Sequence, residues 1–167
     1  QTQAEYLDWL CKKLKKGSVV ACDFWCYSMS QIGHFKKTFE AAGLTLTDSG
    51  DLLDSIWTNR PSLSIAPIFE HDIRYAGKSR SEKLRSVRSE MKKNKSNYFL
   101  VSALDEVAYV LNLRGTDVAC NPVFVAYLCI GEKESFLFIN PEKVSEALRK
   151  SLLKDKVVVQ EYSKIAK

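Results

Sequence analysis

Apolar positions along this chain follow two alternating rhythms, a helical period and short continuous runs. Leu7, Leu10 and Leu14 recur at helical spacing. Thr2 and Glu5 stand at capping-box distance, so residues 2–15 predict a helix stopped near Gly17. SVVACD (18–23) reads as a buried strand. Ser28 and Gln31 form a second capping-box pair ahead of the stripe Ile32, Phe35, Phe39, and Gly43 ends that helix. LTLT (44–47) reads as a short strand and DLLDSIW (51–57) as a short amphipathic turn or helix. TNRPSLSIAP (58–67) has two prolines, two serines and no helical period, which predicts a linker and a domain boundary.

The alternation resumes after it. Ser79 and Glu82 predict a helix start, with Leu84, Val87 and Met91 facing a core. NYFLVS (97–102) predicts a strand. Ser102 and Asp105 open a short helix with Leu104, Val107, Ala108 and Leu111 on one side. PVFVAYLCI (122–130) and SFLFIN (135–140), separated by GEKE, read as an antiparallel hairpin. Asn140 and Pro141 suit an N-cap and first position for a helix to about Leu153. KVVVQEY is a last strand, and SKIAK starts a further helix. Helices alternating with strands predict an α/β fold, and the hairpin makes its sheet mixed, with flanking helices. Residues 1–57 are too short for a whole domain and read as the end of one. Residues 68–167 read as a second, similar and complete α/β domain.

Composition narrows the class. The 167 residues are 46% apolar, enough for a packed core. No run reaches the roughly 18 apolar residues of a membrane span. Cys11, Cys22, Cys26, Cys120 and Cys129 are odd in number and include no Cys-x-x-Cys, which favours reduced core thiols in a cytosolic protein. The net charge of +5 is densest over 78–95. The stripe Leu84, Val87, Met91 leaves those lysines and arginines on a solvated face, without the interleaved aromatics of a single-strand binder.

Catalytic signatures are sparse. His34 and His71 are the two histidines, and neither belongs to a ligand-spaced cluster. Glu70, His71 and Asp72 read as an exposed turn rather than half a metal site. Gly77-Lys78-Ser79 lacks the upstream glycine of a P-loop, since position 72 is Asp. No Gly-x-Ser-x-Gly elbow occurs. The polar loop Asn112-Leu113-Arg114-Gly115-Thr116-Asp117, followed by Asn121-Pro122, stands out as either a functional loop or one ordered by an Arg114–Asp117 pair.

That stretch, SALDEVAYVLNLRGTDVACNPVF, resembles the T-A-L-D-E-I-A-W-L-x-N-L-R-G-S-D-x-x-x-N-P-V-F pattern of the three-domain Xaa-Pro aminopeptidase (aminopeptidase P) family. DLLDSIWTNRP and RYAGKSRSEKLRSVRSEM resemble two further blocks of that family, in its order and spacing over residues 51–128. The resemblance implies two α/β domains of creatinase/prolidase N-terminal type, here the end of the first (1–57) and most of the second, ahead of a catalytic pita-bread domain that this chain lacks. It further implies a cytoplasmic parent enzyme that removes the first residue from peptides with proline second. Two divalent ions, manganese by expectation, would be bound in that missing domain and none on this chain, which would be inactive alone. The expected partners are its own catalytic domain, a second copy in a homodimer and a proline-containing peptide, with neither nucleic acid nor membrane. Arg114, supported by Asp117 and Asn121, is the expected contribution to the substrate cleft, because Arg pairs with carboxylates and backbone oxygens. The alternative is a histone-chaperone-like binding module of the same architecture.

Overall fold

The computed structural model describes residues 5–166 and divides the chain into two compact units, 1–62 and 63–167. In the first, α1 (Glu5–Lys13) carries acidic residues in its first turn and lysines in its last, matching the helix dipole. The expected Thr2 cap lies outside the described residues. β1 (Val19–Cys22) pairs in parallel with β2 (Thr45–Asp48), and α2 (Met29–Ala41) connects them. The Ser28–Gln31 capping box forms in full, and Ile32, Phe35 and Phe39 are buried with Leu7 and Leu44. β1 is not the buried strand expected. Val20 and Cys22 turn toward the helices, while Val19 and Ala21 face outward, because helices cover one face of a two-stranded sheet. Residues 51–57 form turns without a helix. Asp51 accepts from the Leu53 N–H and pairs with Arg60, whose guanidinium lies over Trp57.

In the second unit, β3 (Phe69–Glu70) precedes the short α3 (Ile73–Ala76). α4 (Arg80–Lys93) starts with a complete Ser79–Glu82 capping box. β4 (Tyr98–Val101) leads to α5 (Leu104–Leu111). β5 (Leu113–Arg114) pairs antiparallel with β3. β6 (Tyr127–Gly131) and β7 (Ser135–Ile139) form the expected hairpin; α6 (Glu146–Lys154) then returns the chain to β8 (Val157–Glu161), parallel to β7. The sheet order β4-β6-β7-β8 is mixed, as expected. Leu128, Ile130, Leu137, Ile139 and Val157 bury one face against Leu84, Met91, Val107, Leu111, Leu148 and Leu152 of the helices.

Three boundaries differ from the sequence pattern. α5 has Ala103 at its N-cap and no side-chain cap, so the Ser102–Asp105 box is not made. Residues 122–126 are not strand, although Val123, Phe124 and Ala126 are buried. The Pro122 and Val123 carbonyls accept from Gly115 and Asp117 N–H, and the Val125 N–H donates to the Asp117 carboxylate. Asn140 and Pro141 start only a 3₁₀ turn over Pro141–Lys143. Val144 is extended, and Ser145 caps α6 afresh. The Lys143 carbonyl accepts from the Ile68 N–H instead of continuing a helix. All five cysteines are free; Cys11 and Cys22 are half-buried against the core of the first unit, Cys129 is half-buried, and Cys26 and Cys120 are exposed.

Candidate functional site

A helix ends with carbonyls that have no partner within it. At the end of α5 the Asn112 N–H caps the Ala108 and Tyr109 carbonyls, and three cations add to it. Arg114 Nη1 donates to the Ala108 carbonyl (3.1 Å), Lys83 Nζ to Tyr109 (2.9 Å) and Arg80 Nε to Leu111 (2.8 Å). Positive charge there also complements the negative end of the helix dipole. Asn112 makes the turn in left-handed conformation (φ 52°, ψ 45°), which Asn tolerates better than most residues. Its side chain accepts from Lys83 Nζ (2.7 Å) and donates to the Lys78 carbonyl (2.8 Å).

Arg80 also bridges Glu70 (2.9 Å) and Asp155 (3.1 Å), tying α4 to β3 and to the end of α6. The Glu70 carboxyl is held below its usual range, first by the Ser151 hydroxyl and then, against the cost of burial, by Arg80. Lys83 has no carboxylate partner among the described residues and sits 3.6 Å from the Tyr109 ring centre. Burial pushes its ammonium pKa down, and Arg114 and Lys78 add repulsion. An open cavity of about 540 Å³ beside Arg80 and Asn112 is lined by Glu70, His71 and Asp72. Among the described residues, no three His, Cys, Asp or Glu side chains are grouped to hold a metal ion.

Asp117 belongs to a different cluster. Lys143 Nζ lies 2.5 Å from both of its carboxylate oxygens, and both side chains are almost wholly buried. The Val125 N–H donates to Asp117 at 2.7 Å, and Lys143 also reaches the Ser64 carbonyl. Burial raises the Asp117 carboxyl, but Lys143 and the Val125 N–H outweigh it and the result lies below the usual range. The pair borders a cavity of about 370 Å³ together with Asn140, Glu142, Glu161 and Tyr162.

The three residues expected from the loop are therefore separated in role. Arg114 is half-buried on the end of α5, and Asp117 pairs with Lys143 rather than with Arg114. Asn121 is exposed in a turn whose backbone closes from Val118 to Asn121, with Cys120 at φ 60°. Gly115 is the contact point between loop and core: a Cβ there would lie 2.7 Å from the Phe124 Cβ.

In the basic stretch Lys78, Arg85, Lys92, Lys93 and Lys95 are exposed, as expected, but three cations turn inward. Arg80 and Lys83 are buried, and Arg88 is half-buried, donating to the Gly131 carbonyl (2.8 Å) and Ser135 Oγ (3.0 Å). The signal was in the period. Arg80, Lys83, Leu84, Val87 and Met91 share one helix face, so the apolar stripe already included both cations. Lys143 carried no comparable signal.

Residues 59–167 match the model of the creatinase/prolidase N-terminal domain family. Aminopeptidase P1 of Arabidopsis thaliana is 32% identical over 158 residues, which are 94% of this chain and 24% of that protein. A probable Xaa-Pro aminopeptidase P of Ajellomyces capsulatus is 36% identical over 160 residues, 95% of this chain and 26% of its own length. The crystal structure of X-prolyl aminopeptidase from Caenorhabditis elegans, described as a cytosolic enzyme with a di-nuclear active site, superposes with a TM-score of 0.83 at 32% identity. That likeness covers 98% of this chain and 27% of the other. The chain thus spans about a quarter of the length of the relatives it matches.

Proposed function

Because this chain belongs to the creatinase/prolidase N-terminal domain family, we propose that it is the non-catalytic N-terminal region of a cytoplasmic metallo-aminopeptidase that releases the first residue from peptides with proline second. One observation carries the reading: nearly the whole chain, 98% of it, matches about a quarter of an X-prolyl aminopeptidase with a di-nuclear site. On this reading residues 1–57 end a first α/β domain and 68–167 form most of a second. The two divalent ions, with manganese the first choice, are held by a catalytic region outside these residues. Among the described residues, no three His, Cys, Asp or Glu side chains group as ligands.

The role proposed for this region is to shape the substrate cleft and to support subunit contacts. Arg114 is the residue to test. Both of its hydrogen bonds run through Nη1, leaving Nε and Nη2 without a partner among the described residues and free to meet a peptide oxygen. Asp117 orders the following segment, and Asn121 stands at the exposed end of the loop. The named relatives are aminopeptidases, and Arg80, Lys83 and Arg88 of α4 are engaged inside their own unit. Nothing here favours the chaperone alternative.

The test uses the native full-length protein captured from its own cells and a peptide beginning Arg-Pro-Pro. Manganese-dependent release of the first residue is expected from that protein and none from the 167-residue chain. No release from the native protein would overturn the assignment. In the active protein, Arg114→Ala should raise KM by roughly tenfold with its melting temperature monitored in parallel. Unchanged kinetics across peptide lengths would remove Arg114 from the cleft.

A further inference from the structure

Residues directly opposite each other in an antiparallel ladder present their side chains on the same face. In the ribbon of β3 and β5, Phe69 stands opposite Arg114 and Glu70 opposite Leu113. Leu113 is buried, and so are Ile68 and Gly115, the chain neighbours of Phe69 and Arg114. Side chains alternate along a strand, so Phe69 and Arg114 are the outward pair. Phe69 is 51% exposed. A single exposed phenylalanine needs no explanation by itself. This one shares its face with a guanidinium that has donors to spare.

Both hydrogen bonds of Arg114 leave from Nη1, to the Ala108 and Leu113 carbonyls, and draw the group toward the end of α5. Among the described residues, no cation–π contact joins it to the Phe69 ring. Glu70 and Asp117, the acidic residues close to it in ladder and sequence, pair with Arg80 and Lys143 instead. The ribbon therefore offers an open aromatic ring and open N–H donors side by side. Opposite residues have Cβ atoms about 5 Å apart. A polyproline II peptide advances about 3.1 Å per residue and leaves its carbonyls unpaired. One of its rings can lie on Phe69 while a neighbouring carbonyl meets Arg114. A phosphate would use the donors and not the ring, and an apolar helix would use the ring and strand the donors. A proline-rich peptide uses both, and aromatic surfaces suit it because its helix is formed before binding.

We propose that Phe69 is a specificity-determining residue, forming with Arg114 a subsite for a proline-rich stretch of the substrate beyond its second residue. The proposal rests on the reading of this region as part of a peptidase cleft. Phe69 takes a pyrrolidine ring and Arg114 donates to the backbone oxygen beside it. Every peptide has that oxygen, so Arg114 sets affinity. Only some have the ring, so Phe69 sets preference.

The test measures the affinity of the full-length protein for two peptides, Arg-Pro-Pro-Pro and Arg-Pro-Ala-Ala, by fluorescence anisotropy. Each carries its label at the C-terminus and has its first peptide bond reduced to a methyleneamine, so neither can be cleaved. The parent should favour the proline peptide by about three- to tenfold. Phe69→Ala should abolish the preference by weakening the proline peptide alone, and Phe69→Trp should keep it. Arg114→Ala should weaken both peptides equally and leave the preference in place. If Phe69→Ala does not fold, Phe69→Leu tests the same loss, since it keeps apolar bulk without the ring. Equal affinities in the parent, a preference that survives loss of the ring, or no binding of either peptide overturns the proposal. The readout does not depend on cleavage. A protein that shows the pattern but releases no residue from a normal peptide keeps the subsite and loses the enzyme assignment. An active protein without the pattern does the reverse.

Discussion

Lys143 and Asp117 show how much one unsignalled residue can hold. Removing one partner of a buried pair leaves a charge in a dry site, so Lys143→Met should destabilise by ~3–5 kcal/mol in denaturant unfolding. Adding Asp117→Leu to that variant should recover much of the loss. The folded carboxyl of Asp117 lies below its unfolded value near ~3.9. Its contribution to stability is therefore full above that value and is lost as pH falls through the lower folded one. Unfolding free energy measured from pH 5 downward should fall less steeply in the double variant than in the parent. Gly115→Ala tests the close approach to Phe124 and should cost ~1–3 kcal/mol, since backbone must move to admit the methyl group. The loop containing Asp117 was legible as unusual. Its partner lies 26 positions away, in a turn that the sequence presents as the start of a helix.

Element boundaries discriminate between caps that look alike in sequence. Ser79 and Ser102 both precede an acidic residue at capping-box spacing. Ser79 makes the box, while Ser102 stands one residue outside the N-cap of α5. Ser79→Ala should therefore lower stability by ~1 kcal/mol and Ser102→Ala by much less, both read from denaturation midpoints. At the other end of α5, Lys83→Met keeps the packed stem but leaves the Asn112 amide oxygen without its donor and the Tyr109 carbonyl with the Asn112 N–H alone. A loss of ~1–3 kcal/mol is expected from the unmet Asn112 oxygen. The helical period placed Lys83 on the inner face. Its charge argued for solvent, and the argument fails because the end of α5 supplies the oxygen partners that make burial of an ammonium tolerable.

For the molecule as a whole, the sequence by itself determined the alternation of helices and strands, the hairpin, the mixed sheet and the two capping boxes at Ser28 and Ser79. Those features rest on spacing and on contacts between near neighbours, which one chain displays directly. The motif blocks also pointed to the family, because extended matches in order are specific where short ones are not. Tertiary structure decided the rest. It split the loop candidates between two clusters, drew Arg80, Lys83 and Lys143 inside, delayed to Glu146 the helix expected from Pro141 and left β1 half-exposed. Each of these depends on which carbonyl, carboxylate or sheet face arrives from a distant part of the chain. A charged side chain is buried when its partners arrive with it, and an apolar strand stays exposed when no layer arrives to cover it.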